Sequence, residues 1–421
     1  MMDYKYIREH FEAVERNHAR RGKTCPPVKD AVALIERRVT AIRELDEKRT
    51  AAKVVAAQTK DASKDERAVL VARGKELKGE IKQQEEELSV IERELKGIVR
   101  QYPNMLRDDV PDGTDASSNE VVRTWGKPAE HNFEPKDHLA LGEALGILDM
   151  DRAAKVSGSR FTYLLGDGVR LELALITYAF EKLTARGFTP VIPPHIISTH
   201  AMGAMGYLEH GGEEEIYHLK HDDAVLIGTS EQAIGPMHMD EILDGDTLPR
   251  RYAGFSPCYR REAGSYGKDV RGILRVHQFD KIEMFSFVSS EQSDTEHEML
   301  LSVQEELMQG LQLPYRVLKL CAGETGAPSA RTYDVETWIP SQNQYRETHS
   351  TSNTTDFQTR RLNTRVKRKE KMEFAHALNG TAFAIGRMLI AILENGQQAD
   401  GSVIIPEVLR PFMSGQERLK V

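Results

Sequence analysis

A seven-residue repeat of apolar side chains is the feature that most limits how this chain can fold. Between residues 28 and 100 the sequence is rich in Ala, Glu, Lys, Arg and Leu and contains no proline. Positions in two sets recur seven residues apart: Leu70, Leu77, Gln84, Ile91 and Ile98 in one set, and Ile81, Leu88 and Leu95 in the other. This spacing is that of the a and d positions of a coiled coil, so it predicts a long helix with one apolar seam.

An earlier stretch of the same region has compatible spacing. Its positions are Ile35, Val39, Ile42, Leu45, Ala52 and Ala56, and Arg49 interrupts them. A polar, turn-prone segment, 58–66, separates the two stretches. We therefore expect residues 28–100 to form an antiparallel two-helix arm that projects from the body, about 50 Å long at about 1.5 Å per residue. A short helix ending near Gly22 precedes it, and the arm belongs to a predicted N-terminal domain, 1–112.

Basic side chains gather in the half of the arm nearer its tip. They include Arg43, Arg49, Lys53, Lys60, Lys64, Arg73 and Lys75. Two interpretations remain open from the pattern alone. The arm is either a solvated coiled coil that only mediates dimerisation, or a surface that reads RNA by shape through its backbone.

Composition excludes several classes of protein. In 421 residues, 40% are hydrophobic and 29% are charged, which is typical of a globular chain, and no apolar run reaches the length of a membrane span. The 3 cysteines are far apart, so a reducing compartment such as the cytoplasm is expected. The net charge of -8 means that any contact with nucleic acid must be local. We expect neither DNA nor a membrane as a partner.

Residues 113–421 differ in character and predict a second domain. Strands are expected at 160–165, 187–194, 224–228, 315–321 and 333–339, and helices at 171–185, 291–310 and 381–394. Because strands and helices do not alternate as βαβ units, the pattern predicts an α+β body built on an antiparallel β-sheet flanked by helices.

A predicted β-hairpin, 251–288, is the strongest candidate for a site in this domain. Its second arm alternates, so Arg275, His277, Phe279, Lys281 and Glu283 should share one face. Cations suit a polyphosphate, the phenylalanine ring suits a base, and the carboxylate suits an ammonium group. The Gly-rich turn between the arms holds Glu262, Gly264, Gly267, Lys268 and Arg271.

Polar residues also lie at the ends of other predicted strands and helices. The stretches are Thr229-Ser230-Glu231, Arg260-Arg261-Glu262, Glu347-Thr348-His349-Ser350, and Asn379-Gly380-Thr381 ahead of Arg387. Each has a structural interpretation as well, as a helix cap, a surface ion pair or an arginine on an amphipathic helix. Together they indicate ATP held by its phosphates and ring, with Mg²⁺ near a carboxylate and a hydroxyl. Covalent catalysis and a histidine metal site are disfavoured, because no Ser-His-Asp, Cys-His or paired-histidine arrangement is legible.

These stretches resemble the bacterial-type seryl-tRNA synthetases, a family of class II aminoacyl-tRNA synthetases. The hairpin with Cys258-Tyr259-Arg260-Arg261-Glu262-Ala263-Gly264-Ser265 and Arg275 to Glu283 resembles motif 2, residues 187–194 resemble motif 1, and residues 379–411 resemble motif 3. The arm is similar to the tRNA-binding arm of the same family. The likeness runs over essentially the whole chain.

The resemblance implies a role for each matching position. It implies serine binding by Thr229, Ser230, Glu231, Arg260, Glu283 and Thr381. It implies ATP binding by Arg260, Arg261, Glu262, Arg275, Phe279, Glu347, Thr348, His349, Ser350 and Arg387. Glu347 and Ser350 would hold Mg²⁺, while Arg260, Glu283 and Arg387 would be the catalytic residues.

The resemblance further implies a cytoplasmic homodimer whose partners are L-serine, ATP and tRNA(Ser). The chain departs from the family pattern at His349 and Thr381, where serine is usual or common, and at Glu324, where aspartate is usual. These departures leave room for alternatives. The chain could be a diverged or inhibitor-resistant paralogue, including one that charges a carrier protein, or a non-catalytic RNA-binding relic.

Overall fold

The computed structural model describes residues 1–209, 212–263, 271–369 and 371–420. They form two compact units, Met1–Pro103 and Asn104–Val421. Of the predicted Gly-rich turn, Gly264, Ser265, Gly267 and Lys268 lie outside the described residues. No helix in the described ranges is both long enough and apolar enough to cross a membrane.

The first unit is helical. Its helices are α1 (Tyr4–Glu9), α2 (Phe11–Arg21), α3 (Val28–Asp61) and α4 (Lys64–Val99). The single short helix expected at the N-terminus is therefore two, but the second ends at Gly22, whose φ of 60° is the left-handed conformation that glycine favours. The predicted polar loop is shorter than expected. Only Ala62 and Ser63 separate α3 from α4, because Ser63 and Glu66 cap the second helix reciprocally.

Helices α3 and α4 pack against each other as an antiparallel pair. The ion pairs that cross between them show the direction: Arg38 meets Glu92, and Arg49, farther along α3, meets Glu85. Leu77, Gln84, Ile91 and Leu95 are buried as predicted for the α4 seam. On α3 the predicted positions were partly wrong, since Val39 is 46% exposed and Ala56 is exposed.

The true α3 seam contains residues that hydrophobicity alone does not reveal. Ala41 and Leu45 are buried, and Lys48 lies one turn beyond them. Lys48 Nζ donates to Gln84 Oε1 at 3.0 Å, and Gln84 Nε2 donates to Glu44 Oε2 at 3.2 Å. A polar contact inside a coiled coil favours one register over its neighbours, so this cluster specifies how the two helices align.

The second unit combines short helices with many strands. The helices are α5 (His138–Ala144), α6 (Met150–Ser157), α7 (Asp167–Ala185), α8 (Thr199–Met205), α9 (Glu231–Ile234), α10 (Ser293–Gly310), α11 (Phe357–Leu362) and α12 (Ile385–Gly396). The first nine strands are β1 (Glu120–Trp125), β2 (Leu148–Asp149), β3 (Tyr163–Leu164), β4 (Thr189–Val191), β5 (Ile196–Ser198), β6 (Ala224–Leu226), β7 (Ile242–Asp244), β8 (Arg250–Tyr259) and β9 (Gln278–Val288). The others are β10 (Tyr315–Lys319), β11 (Arg331–Ile339), β12 (Gln344–Asn353), β13 (Arg365–Arg368), β14 (Lys371–Phe374), β15 (His376–Ala384), β16 (Val403–Ile404) and β17 (Arg418–Leu419).

One large sheet organises this unit. Among the described residues its strand order is β1-β10-β11-β12-β15-β9-β8-β4, with every pair antiparallel except the terminal pair of β4 and β8. The predicted α+β class and antiparallel sheet are confirmed. Buried side chains of α7, α10 and α12, including Leu175, Leu300 and Leu389, form one core with β9 and β15.

Three expectations about local structure were wrong. The strand expected at 160–165 is only Tyr163–Leu164, and the strand expected at 187–194 is only Thr189–Val191. The last helix was expected to begin near Thr381, but residues up to Ala384 continue β15 and the helix begins at Ile385. Residues 381–384 remain extended because their backbone pairs with Lys281, Ile282 and Glu283 on β9. Tertiary pairing thus overrides a helical spacing that continues into the neighbouring segment.

Candidate active site

Strand β9 carries polar side chains on one face at the centre of the large sheet. Phe279, Lys281 and Glu283 line cavities on this face, as the alternation predicted. Asp280 points to the opposite face, where it hydrogen-bonds Glu172. Burial and the neighbouring carboxyl of Asp280 raise the pKa of Glu172 to about 8. The two faces of the strand therefore carry different titratable groups, although Phe279 lines a cavity with each of them.

A close approach between β8 and α9 brings a second polar stretch to this face. Gly254 pairs with Glu283, and a Cβ atom at Gly254 would lie 2.6 Å from Ser230 Oγ. Only glycine leaves room for the start of α9 here. Ser230 Oγ donates to the Gly254 carbonyl at 3.1 Å, so the Ser230 side chain is buried under the loop. Its neighbours Thr229 and Glu231 line the cavity instead.

The larger of two adjoining cavities, which we call the carboxylate cavity, has a volume of about 510 Å³. Its lining includes Tyr207, Thr229, Glu231, Arg260, Lys281, Glu283, Glu347, Ser350, Asn379, Thr381 and Arg387. Glu283 Oε2 lies 2.7 Å from Lys281 Nζ and accepts a hydrogen bond from Thr381 Oγ1 at 3.0 Å.

Glu231 is held in the same way through one of its oxygens. Its Oε1 accepts hydrogen bonds from Tyr207 at 2.6 Å, Asn379 at 3.3 Å and Gln358 at 3.5 Å. Within the described ranges we find no hydrogen bond to Glu231 Oε2 or to Glu283 Oε1. Each carboxylate thus has one oxygen held by its neighbours and one that accepts no hydrogen bond from the described residues.

The electrostatics of Glu231 follow from burial beside a like charge. Burial and repulsion by Glu283 raise the pKa of Glu231 to about 7, while the hydrogen bond from Tyr207 and the charge of Lys281 oppose that rise. A carboxyl with this pKa changes its charge near neutral pH.

The smaller cavity, which we call the Phe279 cavity, shares Arg260, Lys281, Glu347, Thr381 and Arg387 with the larger one. It adds Phe279, Thr348 and Gly386. The guanidinium carbon of Arg260 lies 5.3 Å from the centre of the Phe279 ring. Glu262 and Arg275 face both cavities and form an ion pair of 2.7 Å. The two cavities therefore form one cleft that is cationic at one end.

Glu347 and Arg387 form a second ion pair in the cleft, with a distance of 3.1 Å. Burial alone would raise the pKa of Glu347. The guanidinium groups of Arg387 and Arg260 outweigh that effect and hold this pKa below its usual value. Asp334 lies beside this pair and accepts a hydrogen bond from Ser350. Burial and the charge of Glu347 raise the pKa of Asp334 well above its usual value.

Comparison with known proteins places this cleft in a family. The seryl-tRNA synthetase N-terminal domain matches residues 1–106, and the class II core domain of the G, H, P, S and T synthetases matches residues 216–396. A serine–tRNA ligase of Streptomyces coelicolor is 45% identical over 422 residues, covering 100% of this chain and 99% of that protein. The chain belongs to the seryl-tRNA synthetase family.

Solved structures agree with this assignment of the synthetase. The seryl-tRNA synthetase of Pyrococcus horikoshii, solved with ATP, is 38% identical with a TM-score of 0.92, covering 100% of this chain and 99% of that one. The cytoplasmic serine–tRNA ligase of Naegleria fowleri, solved with AMP, is 32% identical with a TM-score of 0.89, and the match covers 100% of this chain and 99% of that one.

The structure of the synthetase brings most of the sequence-predicted residues into the cleft, but not all. The side chain of His349 is buried on the other side of β12, 5.9 Å from the Phe383 ring, and lines neither cavity. Arg261 is exposed, with its guanidinium carbon 6.0 Å from the Tyr217 ring. Ser230 supports the backbone instead of lining the cavity. For these residues the side chain is not placed to meet a ligand in the cleft.

Two side chains that line the synthetase's cleft, Tyr207 and Lys281, and one that lies beside it, Asp334, were not assigned a role from the sequence. Tyr207 and Asp334 lie on segments without a recognisable motif, and only tertiary packing brings them to Glu231 and Glu347. Lys281 was placed on the correct face by alternation, but its ion pair with Glu283 depends on a neighbour two residues away on the same strand. A lysine and a glutamate at that spacing would have been a usable signal.

Proposed function

We propose that this synthetase activates L-serine with ATP and transfers the seryl group to the terminal adenosine of tRNA(Ser). The observation that carries the proposal is the pair of half-satisfied carboxylates, Glu231 and Glu283, next to a cleft lined by arginines and Phe279. Two carboxylates suit an ammonium group, and the guanidinium groups suit a triphosphate. Residues 1–112 would then be the tRNA-binding domain and residues 113–421 the catalytic domain.

The carboxylate cavity would bind the amino acid. Glu231 and Glu283 would receive the ammonium and hydroxyl groups of serine, and Thr229 and Thr381 add hydroxyl groups to the same cavity. Ser230 would contribute through its backbone position. A site that hydrogen-bonds a substrate hydroxyl rejects alanine strongly, because its buried polar groups would be left unpaired.

The Phe279 cavity would bind ATP. Phe279 would stack on the adenine ring, with Glu262 and Arg275 beside it, while Arg387 would bind the γ-phosphate and Arg260 the α-phosphate. A serine carboxylate oxygen then forms a bond to the α-phosphorus, the bond from that phosphorus to the bridging oxygen breaks, and pyrophosphate leaves. Arg260 would offset the negative charge that develops at the α-phosphate. In the second step the adenosine hydroxyl attacks the acyl carbon and AMP leaves.

The residues beside Arg387 fit Mg²⁺. Asp334 Oδ1 is buried and has no hydrogen-bond partner among the described residues, and Glu347 and Ser350 add further oxygens. In the described ranges no group of three His, Cys, Asp or Glu side chains could hold a metal alone. Mg²⁺ is commonly bound through one or two carboxylates together with substrate phosphates, so we propose Glu347 and Ser350 as its ligands. When bound, it would neutralise phosphate charge.

The arm would bind tRNA, and the catalytic unit would form a homodimer. Of the seven proposed tRNA contacts, Lys53, Lys60, Lys64 and Lys75 form no ion pair with other described residues, so they offer their charge to phosphates. Dimerisation is supported by exposed apolar side chains on or beside α7 and β4: Val169 is 40%, Leu173 57% and Ile192 78% exposed. We place the enzyme in the cytoplasm, where tRNA is charged.

The direct test is serine-dependent ATP–pyrophosphate exchange, followed by transfer of tritiated serine to tRNA(Ser). We expect exchange with serine, little with alanine, and charging of the tRNA. No exchange at saturating ATP and Mg²⁺ would overturn the proposal. Exchange without charging would instead favour a paralogue that loads a different acceptor.

The pH dependence of serine binding provides a first prediction. Because only ionised Glu231 attracts an ammonium group, and its pKa is raised to about 7, affinity should increase as pH rises through that value. The ionised fraction grows about tenfold between about pH 6 and pH 8, so the KM for serine should fall by about that factor. Exchange kinetics at several pH values measure this. The KM for ATP serves as the internal control, and a flat KM for serine would contradict the prediction.

His349 provides a second prediction. Burial lowers its pKa to about 3, so it is neutral at physiological pH, and its ring packs beside Phe383. His349→Ser should leave the KM for ATP within about twofold and lower the free energy of unfolding by about 1–3 kcal/mol, because it creates a cavity. Denaturant unfolding and exchange kinetics measure the two effects. His297→Ser is the matched control, since His297 is also buried with a pKa of about 3. A several-fold change in the KM for ATP at unchanged stability would refute the assignment.

A further inference from the structure

Lys281 is a buried cation to which the steps above assign no role. It lies on β9, is 6% exposed, and is the one lysine among the described residues that line the two cavities. Its Nζ is 2.7 Å from Glu283 Oε2. A lysine is almost never this buried unless its charge is compensated, so its position has to be explained by its neighbours.

The charges around Lys281 are mostly negative. Glu231, Glu283 and Glu347 face it from α9, β9 and β12, and the Cys258 thiol lies within reach of its charge. Tyr207, which hydrogen-bonds Glu231, lines the same cavity. Of the other cations that line the cavities, Arg387 pairs with Glu347, Arg275 pairs with Glu262, and Arg260 donates to the Gly228 carbonyl at 3.2 Å. Lys281 is left to compensate the charge of Glu231 and Glu283.

The geometry also separates Lys281 from the position of the ligand. Lys281 and Thr381 both contact Glu283 Oε2, which leaves Oε1 for the substrate. The ammonium group thus fixes the orientation of this carboxylate without occupying the oxygen that serine needs. The positive charge of Lys281 also favours the ionised form of Glu231.

We propose that Lys281 is a positioning residue for serine: its ammonium group orients Glu283 and favours the ionised form of Glu231, so that both carboxylates can bind the substrate ammonium. This inference rests on the proposed serine activation. It makes Lys281 act on the affinity for serine through the two carboxylates, and not on the reacting phosphate. The KM for serine and its pH dependence should therefore change, while kcat should not.

The test compares Lys281→Gln and Lys281→Arg in serine-dependent exchange between about pH 6 and pH 8.5. For Lys281→Gln we expect the KM for serine to rise by about 30- to 100-fold at pH 7, with kcat within about threefold. The pH at which the KM for serine falls should move upward by about one unit, because without the positive charge of Lys281 the pKa of Glu231 is higher. Lys281→Arg keeps the charge. Its KM for serine should stay within about tenfold of that of the parent enzyme, and the pH at which the KM falls should not change.

Controls distinguish this role from a structural one. Lys319→Gln breaks a comparable lysine ion pair on β10, with Asp109 at 3.2 Å, and should leave both kinetic constants unchanged. A fall in kcat without a shift of the pH midpoint in Lys281→Gln would overturn the proposal. If Lys281→Gln is recovered only unfolded, Lys281→Arg decides: retained serine exchange supports the proposal, and its loss from a folded protein overturns it. If the parent enzyme shows no exchange with serine, serine activation itself has failed.

Discussion

Replacing Arg260 by lysine will lower the rate of serine-dependent ATP–pyrophosphate exchange by about a hundred- to a thousandfold. Arg260 faces both cavities, and its guanidinium group lies over Phe279 while Nε donates to the Gly228 carbonyl. Lysine keeps the charge but loses the planar fork that can hold two oxygens at once. We expect the loss to appear mainly in kcat, because the proposed contact strengthens as charge develops on the α-phosphate.

Arg316→Lys is the matched control for this variant. Arg316 also lies over an aromatic ring, 5.0 Å from the centre of Tyr345, and forms an ion pair of 2.6 Å with Glu336 on the same sheet. It lines neither cavity, so its replacement should leave exchange within about twofold. If Arg260→Lys raises only the KM for ATP and leaves kcat unchanged, Arg260 contributes to the binding of ATP but does not stabilise the charge that develops on the α-phosphate.

Shortening the arm will abolish tRNA charging while leaving exchange intact. The base of the arm must be kept, since Ala31, Ile35, Ile91 and Leu95 are buried. We therefore delete residues 50–83 and join the helices through two glycines just beyond the contact between Arg49 and Glu85. Lys53, Lys60, Lys64, Arg73 and Lys75 are removed by the deletion. We expect kcat/KM for tRNA charging to fall by about a hundredfold or more, with exchange within about twofold.

A second variant separates charge from length. Replacing Lys53, Lys60, Lys64 and Lys75 by glutamine keeps both helices and should weaken charging less than the deletion does. It should also reduce the salt dependence of tRNA binding, by about 0.7–0.9 in the slope of log K against log salt for each phosphate that the arm no longer neutralises. If the deletion also stops exchange, the arm supports the catalytic unit structurally. If it leaves charging unchanged, the arm does not bind tRNA.

The sequence predicted the elements whose pattern is local. The seven-residue spacing on α4, the helix end at Gly22 and the alternation of Phe279, Lys281 and Glu283 each depend on residues within one element. The α3 seam was harder to predict, because Lys48 occupies a contact position and Val39 does not. Strand β15 was missed at its end, since Thr381 to Ala384 are extended only because β9 lies beside them.

In the candidate site, too, local sequence patterns were predictable and contacts between distant segments were not. Most residues that line the cleft belong to stretches that resemble known motifs, but a motif does not say which way each of its side chains points. Ser230 and His349 lie within such motifs, but the first packs on Gly254 and the second on Phe383. Tyr207 and Asp334 could not be predicted, because packing among distant segments alone places them beside Glu231 and Glu347.

The polar contact of Lys48 and Gln84 between the arm helices has a consequence for how this arm can vary in length. Adding one residue to one helix between the base of the arm and that contact would turn everything beyond the insertion by about 100° and would break the contact. Adding seven residues to each helix would extend the tip by about 10.5 Å and restore nearly the same orientation. The length of the arm between its base and this contact can therefore change only in steps of about seven residues per helix. Insertions there in related chains should occur in both helices at once, in multiples of seven.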